Sequence, residues 1–131
     1  MPSEPRWLES ADIRELNALI VAETGEPHFV RGEGLLESAC QRPYNRYAYD
    51  GVEDVVTLAV ELLFGVARNH PFAQGNKRTG FEAAILFLQA NGHDLTIADS
   101  EALGQSVVDV ITGAMAPEVF EALIRPHVTP A

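Results

Sequence analysis

Apolar residues recur at helical spacing through most of this chain, and they predict an all-α fold. The spacing predicts a first helix over Leu8–Glu23, which Gly25 closes, and a short second helix over Gly32–Gln41, which Pro43 stops. The segment Arg42–Gly51 holds three tyrosines between proline and glycine. This composition favours an ordered loop or small hairpin over a helix.

Two longer segments, Glu53–Asn69 and Asn76–Asn91, are apolar on nearly every face, which is typical of central, buried helices. Asp99 or Ser100 can cap a fifth helix, and Pro117 suits the first turn of a last one. The pattern therefore predicts about six helices and at most one small hairpin.

Length and composition fit one soluble domain. The chain has 131 residues, of which 47% are hydrophobic, so we expect a single domain over residues 1–131 that needs no metal or disulfide to fold. The one cysteine, Cys40, favours a reducing, cytoplasmic setting, and no segment has the pattern of a signal peptide or a membrane span. The formal net charge of −10 argues against nucleic acid as a direct partner.

The candidate chemistry lies between the two central helices, in the sequence HPFAQGNKRTG that begins at His70. Pro71 disfavours helical geometry at His70, so we expect the imidazole at the tip of the first central helix. Gly75 permits backbone conformations that other residues resist, and Asn76 is a good N-cap for the second central helix. The backbone N–H groups that follow would then form an anion site.

Two adjacent cations, Lys77 and Arg78, strengthen this interpretation. Cations in the first turn of a helix oppose the helix dipole, and this chain has only nine Lys and Arg in total. Their position is explained if a polyphosphate binds there, since Arg offers a fork for phosphate oxygens and Lys a mobile charge. The alternative is a plain interhelical turn with both cations solvated.

The loop resembles the signature of the Fic/Doc superfamily, His-Pro-Phe-x-(Asp/Glu)-Gly-Asn-x-Arg, and its Lys-Arg-Thr ending favours the Doc (death-on-curing) branch. A second segment, Val30–Ala39 followed by Arg42 and Pro43, is similar to the Gly-Leu-Leu-Glu-Ser-Ala…Arg-Pro stretch of Doc-like proteins. The similarity runs from about Ser10 to Gly92. The resemblance implies a compact Fic/Doc-type helical bundle with a small flap loop or hairpin.

The resemblance also implies a function. Doc-like proteins are toxins of toxin–antitoxin pairs, and they transfer a phosphate from ATP, with Mg²⁺, to a Ser or Thr hydroxyl of a protein such as elongation factor Tu. AMP transfer from ATP to a protein hydroxyl is the alternative within the family. The chain shows no inhibitory helix of the Ser/Thr-x-x-x-Glu-Gly type, which within the family points to restraint by a separate antitoxin.

Carried over by position, the resemblance makes His70 the general base for the target hydroxyl. It assigns the nucleotide phosphates to Gly75, Asn76, Lys77 and Arg78. It assigns the family's flap, which aligns an extended target segment by strand-like pairing, to Tyr47, Ala48 and Tyr49.

Two positions depart from the family pattern. AMP-transferring members usually carry a second Arg three residues after the first, where this chain has Phe81, and the departure favours kinase-type transfer. Gln74 replaces the family's metal-binding acid, and an amide is a poor ligand for the hard Mg²⁺ ion. Three alternatives stay open: the metal binds mainly through nucleotide and water, another acid reaches the site, or the protein binds nucleotide or a partner without catalysis.

Overall fold

The computed structural model describes residues 4–131, so the first three residues of the domain predicted over 1–131 lie outside it. Within the described residues the chain forms six α-helices, one short 3₁₀ turn and two three-residue strands. The order is α1 (Ser10–Thr24), α2 (Glu33–Asp50), α3 (Val55–Asn69), α4 (Asn76–Ala90), β1 (His93–Leu95), α5 (Glu101–Thr112), α6 (Pro117–Ile124), the 3₁₀ turn (Arg125–His127) and β2 (Val128–Pro130). The predicted all-α fold of about six helices is confirmed.

The two central helices, α3 and α4, pack directly against each other in the core. Most of the buried side chains of the core come from them, and the rings of Phe64 and Phe87 are both buried. At one point the backbones themselves meet, since a Cβ added to Gly80 would lie 2.6 Å from the carbonyl oxygen of Leu63. The close approach holds the ends of α3 and α4, and therefore the loop between them, in one position.

Local sequence signals explain where several helices begin. The carboxylate of Asp54 accepts hydrogen bonds from the backbone N–H groups of Val56 (2.9 Å) and Thr57 (3.1 Å) at the start of α3. Ser100, one of the two caps predicted for α5, accepts from the N–H of Leu103 at 3.1 Å. Pro117 opens α6, as predicted. Among the described residues no helix combines the length and the hydropathy needed to cross a membrane.

The prediction of a loop or hairpin over Arg42–Gly51 is wrong, because α2 continues through Pro43 to Asp50. Proline lacks the N–H that would bond to the carbonyl of Ala39, which normally kinks or ends a helix. Here Pro43 is buried, and the Ala39 carbonyl packs against α3 so closely that a Cβ on Gly65 would lie 3.2 Å from its oxygen. Burial against α3 stabilises α2 beyond the point where local propensity would end it.

The sequence analysis also did not predict where the small sheet lies. β1 and β2 pair antiparallel with Asp94 opposite Thr129, and so join two segments more than thirty residues apart. The Tyr44 and Tyr47 rings, assigned to the predicted loop, instead pack edge-on at 5.5 Å against Trp7. They hold the N-terminal segment onto the helices.

Candidate active site

The candidate active site is built on the loop between α3 and α4, and His70 stands at its beginning. His70 is the C-cap of α3 in the left-handed conformation (φ 48°, ψ 55°), and its N–H donates to the carbonyl of Val66 at 3.2 Å. It is the one non-glycine residue with positive φ in the described part of the chain. The following Pro71 disfavours right-handed helical geometry at His70, and the exposed imidazole lies at the tip of α3 as predicted.

Extended backbone next to the loop holds this strained conformation in place. Val30 and Phe72 form an antiparallel bridge, flanked by hydrogen bonds from the N–H of Arg31 to the carbonyl of Pro71 (2.7 Å) and from the N–H of Ala73 to the carbonyl of Phe29 (3.0 Å). The ring of Phe72 is fully buried. The loop is therefore rigid, because both its backbone and its central side chain are fixed.

The sequence suggested that Asn76 is the N-cap of α4, but this is wrong, because Asn76 is the first helical residue. Gly75 occupies the N-cap position with φ 74°, a conformation that glycine adopts without steric cost. The Asn76 side chain turns back to the loop, where Oδ1 accepts from the N–H of Phe72 (3.0 Å) and Nδ2 donates to the carbonyl of Phe72 (2.8 Å). The side-chain amide of Asn76 thus holds the loop. The backbone N–H of Asn76 is the group of this residue that remains free to bind a ligand.

The first turn of α4 has the features of an anion site. Over residues 4–131 the structure provides no protein acceptor for the backbone N–H groups of Asn76, Lys77 and Arg78. The side chains of Lys77 and Arg78 are exposed beside them. Unpaired N–H groups, the positive end of the helix dipole and two cations together favour a phosphate chain at this turn.

A buried asparagine on α1, Asn17, connects this loop to two other elements, and sequence reasoning missed it. Its Nδ2 donates to the carbonyl of Gln74 (2.8 Å) and to Oγ1 of Thr79 (3.1 Å), and its Oδ1 lies 2.8 Å from Nδ1 of His28. A buried polar group is normally hydrogen-bonded, and Asn17 satisfies three groups at once. The available signal was a polar residue between the apolar positions Ile13 and Ile20 of one helix.

Glu23, also on α1, pairs with Arg78. Its carboxylate lies 3.1 Å from the guanidinium, with side chains that are 62% and 51% exposed. An exposed pair of this kind contributes about 0–1 kcal/mol, so a phosphate can displace it. Glu23 places a negative charge beside the anion site.

A third cation, Arg31, lies on the other side of the loop. Its guanidinium is 3.4 Å from the carbonyl oxygen of His70, and its side chain is exposed. The sequence analysis quoted Arg31 only as part of the second motif. Gln74 is exposed as well, and its backbone carbonyl accepts a hydrogen bond from the side chain of Asn17.

The predicted flap residues Tyr47, Ala48 and Tyr49 do not lie beside His70. They are helical, and Arg46 just before them pairs with Glu61 of α3 at 3.5 Å. Nine residues separate Glu61 from His70, which is about 13 Å along the helix axis. Tyr49 is 81% exposed at this remote end, whereas the extended segment that borders the loop is Phe29–Arg31.

Comparison with known proteins finds similarity over more than half of this chain. The model of the Fic/DOC family matches residues 7–88, from the N-terminal segment through most of α4. The chain is 35% identical over 80 residues to the "Protein kinase doc" of Escherichia phage P1, a match that covers 61% of this chain and 62% of that protein. It is 40% identical over 90 residues to the "Toxin Doc" of Mycolicibacterium smegmatis, covering 68% of this chain and 67% of that protein. The chain thus spans a little less than two thirds of the phage protein. With the family model matching more than half of its length, and the loop inside that match, this chain belongs to the Fic/DOC family.

Proposed function

We propose that this chain is a Doc-like toxin that transfers a phosphate from ATP to a serine or threonine hydroxyl of a target protein. The observation that carries the proposal is one rigid loop with an exposed imidazole at the end of α3 and an open helix N-terminus with two cations at the start of α4. The family and the names of two relatives, a protein kinase and a toxin, support it.

The two ends of the loop have different tasks in the proposed reaction. His70 takes the proton from the target hydroxyl, whose oxygen bonds to the γ-phosphorus. The bond from that phosphorus to the β–γ bridging oxygen breaks, and ADP leaves. The N–H groups that begin α4, together with Lys77 and Arg78, hold the phosphate oxygens and stabilise the charge that develops on them.

The residues around the loop fit a triphosphate chain but do not fit a protein-held Mg²⁺ ion. Gln74 offers an amide where a carboxylate would bind the metal, and the carboxylate of Glu23 is paired with Arg78. Within residues 4–131, no three His, Cys, Asp or Glu side chains are grouped so that they could hold a metal. The proposed reaction therefore has no step that depends on a Mg²⁺ ion held by side chains of this chain.

Phe81 favours phosphate transfer over AMP transfer. It stands one turn after Arg78 and is half-buried against the core, so α4 offers an aromatic ring where a second arginine would be needed. The phosphate-binding groups are then confined to the first turn of α4. This arrangement is expected when the γ-phosphate, and not the α-phosphate, is the reacting group.

Labelled ATP distinguishes the candidate functions. The purified protein is incubated with cell lysate and ATP labelled at the α or the γ phosphate. Label transferred from the γ position alone supports a kinase, whereas label from the α position identifies an AMP transferase and contradicts the proposal. If the protein binds ATP but transfers neither label, it is a non-catalytic binding module, the alternative suggested by the amide at Gln74.

Variants of the loop test the assigned roles. His70→Asn should abolish transfer while keeping nucleotide binding, because asparagine tolerates the left-handed conformation but has no basic imidazole. His127→Asn, on the exposed 3₁₀ turn, is the matched control. Transfer that survives in His70→Asn removes His70 from its role. Gln74→Asp should raise the transfer rate at limiting Mg²⁺ if the missing carboxylate is what weakens the site.

Removal of the cations tests phosphate binding separately. Lys77→Gln and Arg78→Gln should each weaken the binding of inorganic tripolyphosphate about tenfold, the loss expected for one charge-assisted hydrogen bond. Arg6→Gln is the control, since the Arg6 backbone contacts Asn91 at the opposite end of α4. Equal binding by all three variants would show that the turn is not a phosphate site.

The proposal extends to two protein partners. We infer a translation elongation factor such as elongation factor Tu as the target, and a separate antitoxin that restrains the toxin. Expression of the wild-type chain should arrest growth and that of His70→Asn should not, and purified elongation factor Tu should accept the γ label. Growth arrest that is equal for both chains would mean that toxicity does not depend on transfer.

A further inference from the structure

A groove lies at the end of α1 that is far from the first turn of α4. It has a volume of about 510 Å³ and separates the segment before α1 from α2. Ser10, the first residue of α1, lines this groove, whereas Glu23 near the other end of α1 contacts Arg78. Thirteen residues of helix separate Ser10 from Glu23, which is about 20 Å along the axis. The groove is therefore distinct from the candidate active site.

Part of the groove lining is aromatic and aliphatic. Trp7 and Leu8 of the N-terminal segment are half-buried. The Tyr44 ring packs edge-on against the Trp7 ring at 5.5 Å, while 37% of the tyrosine stays exposed. Apolar surface that faces water is unfavourable, so a ligand that covers these side chains gains free energy. Aromatic rings also attract cations.

The charged side chains of the groove are all acidic. Glu9 and Glu37 line it, and within residues 4–131 neither carboxylate forms an ion pair. Burial raises the pKa of the Cys40 thiol in this groove to about 11, and the carboxylates of Asp12 and Glu37 raise it further than Arg14 lowers it. The potential inside the groove is therefore negative.

One face of α2 supplies both the charge and the polar acceptor. Glu37, Gln41 and Tyr44 are four and three residues apart, which places them side by side on the helix. Nε2 of Gln41 donates to Oδ1 of Asn45 at 3.4 Å, so Oε1 is left to accept from a ligand. The face thus presents a carboxylate, an amide oxygen and an aromatic ring in succession.

We infer that this groove binds an arginine side chain of a partner protein, with the guanidinium between the carboxylates of Glu9 and Glu37 and against the aromatic rings. A guanidinium is flat, stacks on aromatic rings and donates five hydrogen bonds in a fork that matches carboxylates. A second copy of this chain is disfavoured as the occupant, since each copy carries a formal net charge of −10. The inference does not depend on the proposed function, because the partner binds away from the loop.

The fluorescence of Trp7 measures binding directly, since this is the only tryptophan of the chain and it lines the groove. The probe is a short alanine peptide with one central arginine, blocked at both ends and titrated at low ionic strength to limit screening. It should change the Trp7 emission in a saturable way. The same peptide with citrulline, which keeps the shape of arginine but has no charge, should bind at least about tenfold more weakly.

Glu37→Gln tests the groove carboxylate without disturbing the fold, because the side chain is exposed and forms no ion pair within residues 4–131. It should weaken binding of the arginine peptide at least about threefold while tripolyphosphate binds as it does to the wild type. Glu53→Gln is the matched control, since it removes the same charge from an exposed position outside the groove. This control should bind the peptide as the wild type does.

Several outcomes would overturn the inference. They are an emission that does not respond to the arginine peptide, equal binding of the citrulline peptide, and an affinity for the arginine peptide that Glu37→Gln leaves unchanged or that Glu53→Gln lowers equally. Free arginine that binds more tightly than the blocked peptide would identify a small-molecule site. A wild-type dimer in analytical ultracentrifugation that the peptide dissociates would show that a second copy fills the groove.

Discussion

The side chain of Asn76 gives the sharpest test of how this loop is held. The family resemblance places it among the phosphate-binding residues, but in the structure its amide bonds to both backbone polar groups of Phe72. Asn76→Ala leaves that N–H and that carbonyl without partners in a buried part of the loop. We therefore expect the variant to lose stability first, and phosphate binding only as the loop loosens.

The magnitude follows from the two groups that lose their partner. An unsatisfied buried donor or acceptor costs about 1–3 kcal/mol, so the free energy of unfolding should fall by about 2–4 kcal/mol if water reaches part of the loop. At a typical dependence on denaturant this lowers the urea midpoint by about 1–2 M with an unchanged slope. Asn76→Asp keeps the acceptor for the N–H but loses the donor to the carbonyl, and it should show roughly half of the loss.

Urea unfolding followed by circular dichroism measures these values, with Asn45→Ala as the control. Asn45 is exposed on α2 and bonds only to the side chain of Gln41, at 3.4 Å, so its loss should change stability by less than about 0.5 kcal/mol. A variant Asn76→Ala that keeps the midpoint of this control but no longer binds tripolyphosphate would refute the reasoning. Its side chain would then be a phosphate ligand and not a clamp.

Three further predictions concern positions away from the loop's polar groups. Gly80→Ala should destabilise the protein by about 1–3 kcal/mol in urea unfolding, because its Cβ would lie 2.6 Å from the backbone oxygen of Leu63 and α3 and α4 would have to move apart. Burial opposes ionisation of Asp54, but hydrogen bonds from Arg125 and from backbone N–H groups outweigh it and hold its pKa below the usual 3.8. Ionised Asp54 therefore stabilises the fold at pH values above its usual pKa of 3.8, and this contribution is lost as the pH falls through the lower pKa of the folded state. The stability difference between the wild type and Asp54→Asn should shrink between pH 5 and pH 3. Burial, together with neighbouring carboxylates, raises the pKa of Cys40 to about 11, so iodoacetamide at pH 8 should alkylate it roughly 100-fold more slowly in the folded than in the unfolded protein.

Each of these three predictions has a control or an outcome that would contradict it. Gly104→Ala, at a helical glycine with open space around it, should stabilise by about 0.4–1 kcal/mol, and a Gly80→Ala that behaves alike would contradict the close approach of α3 and α4. An Asp54→Asn variant whose stability falls with acid as steeply as that of the wild type would remove Asp54 as a source of that dependence. Equal alkylation rates in the two states would show that the Cys40 thiol is open to solvent.

Much of the fold could be predicted because its determinants are local. The apolar faces of α3 and α4, the cap at Ser100 and the proline at Pro117 each act within one or two helical turns. The end of α3 at His70 follows from the proline after it, whose ring clashes with a helical predecessor. These features need no knowledge of what packs against them.

The errors occurred where a distant element overrides local preference. Pro43 would end an isolated helix, yet α2 continues because its apolar residues are buried on α3 near Gly65. The tyrosines after Pro43 suggested a flap, but two of them pack on Trp7, which lies near the N-terminus and more than thirty residues before them. β1 finds its partner in β2 across two intervening helices, and no turn signal marks such a pairing.

For the candidate site the division is equally clear. The sequence by itself placed the imidazole of His70 and the helix start from Gly75 to Arg78 at the two ends of one short loop, because nearby residues of the chain carry both groups and the backbone limits their separation. Only the tertiary structure brought α1 to the loop, with Asn17 as its support and Glu23 against Arg78. Contacts between elements far apart in the chain depend on how whole helices pack, and that packing is decided by the sum of many buried surfaces and not by any local pattern.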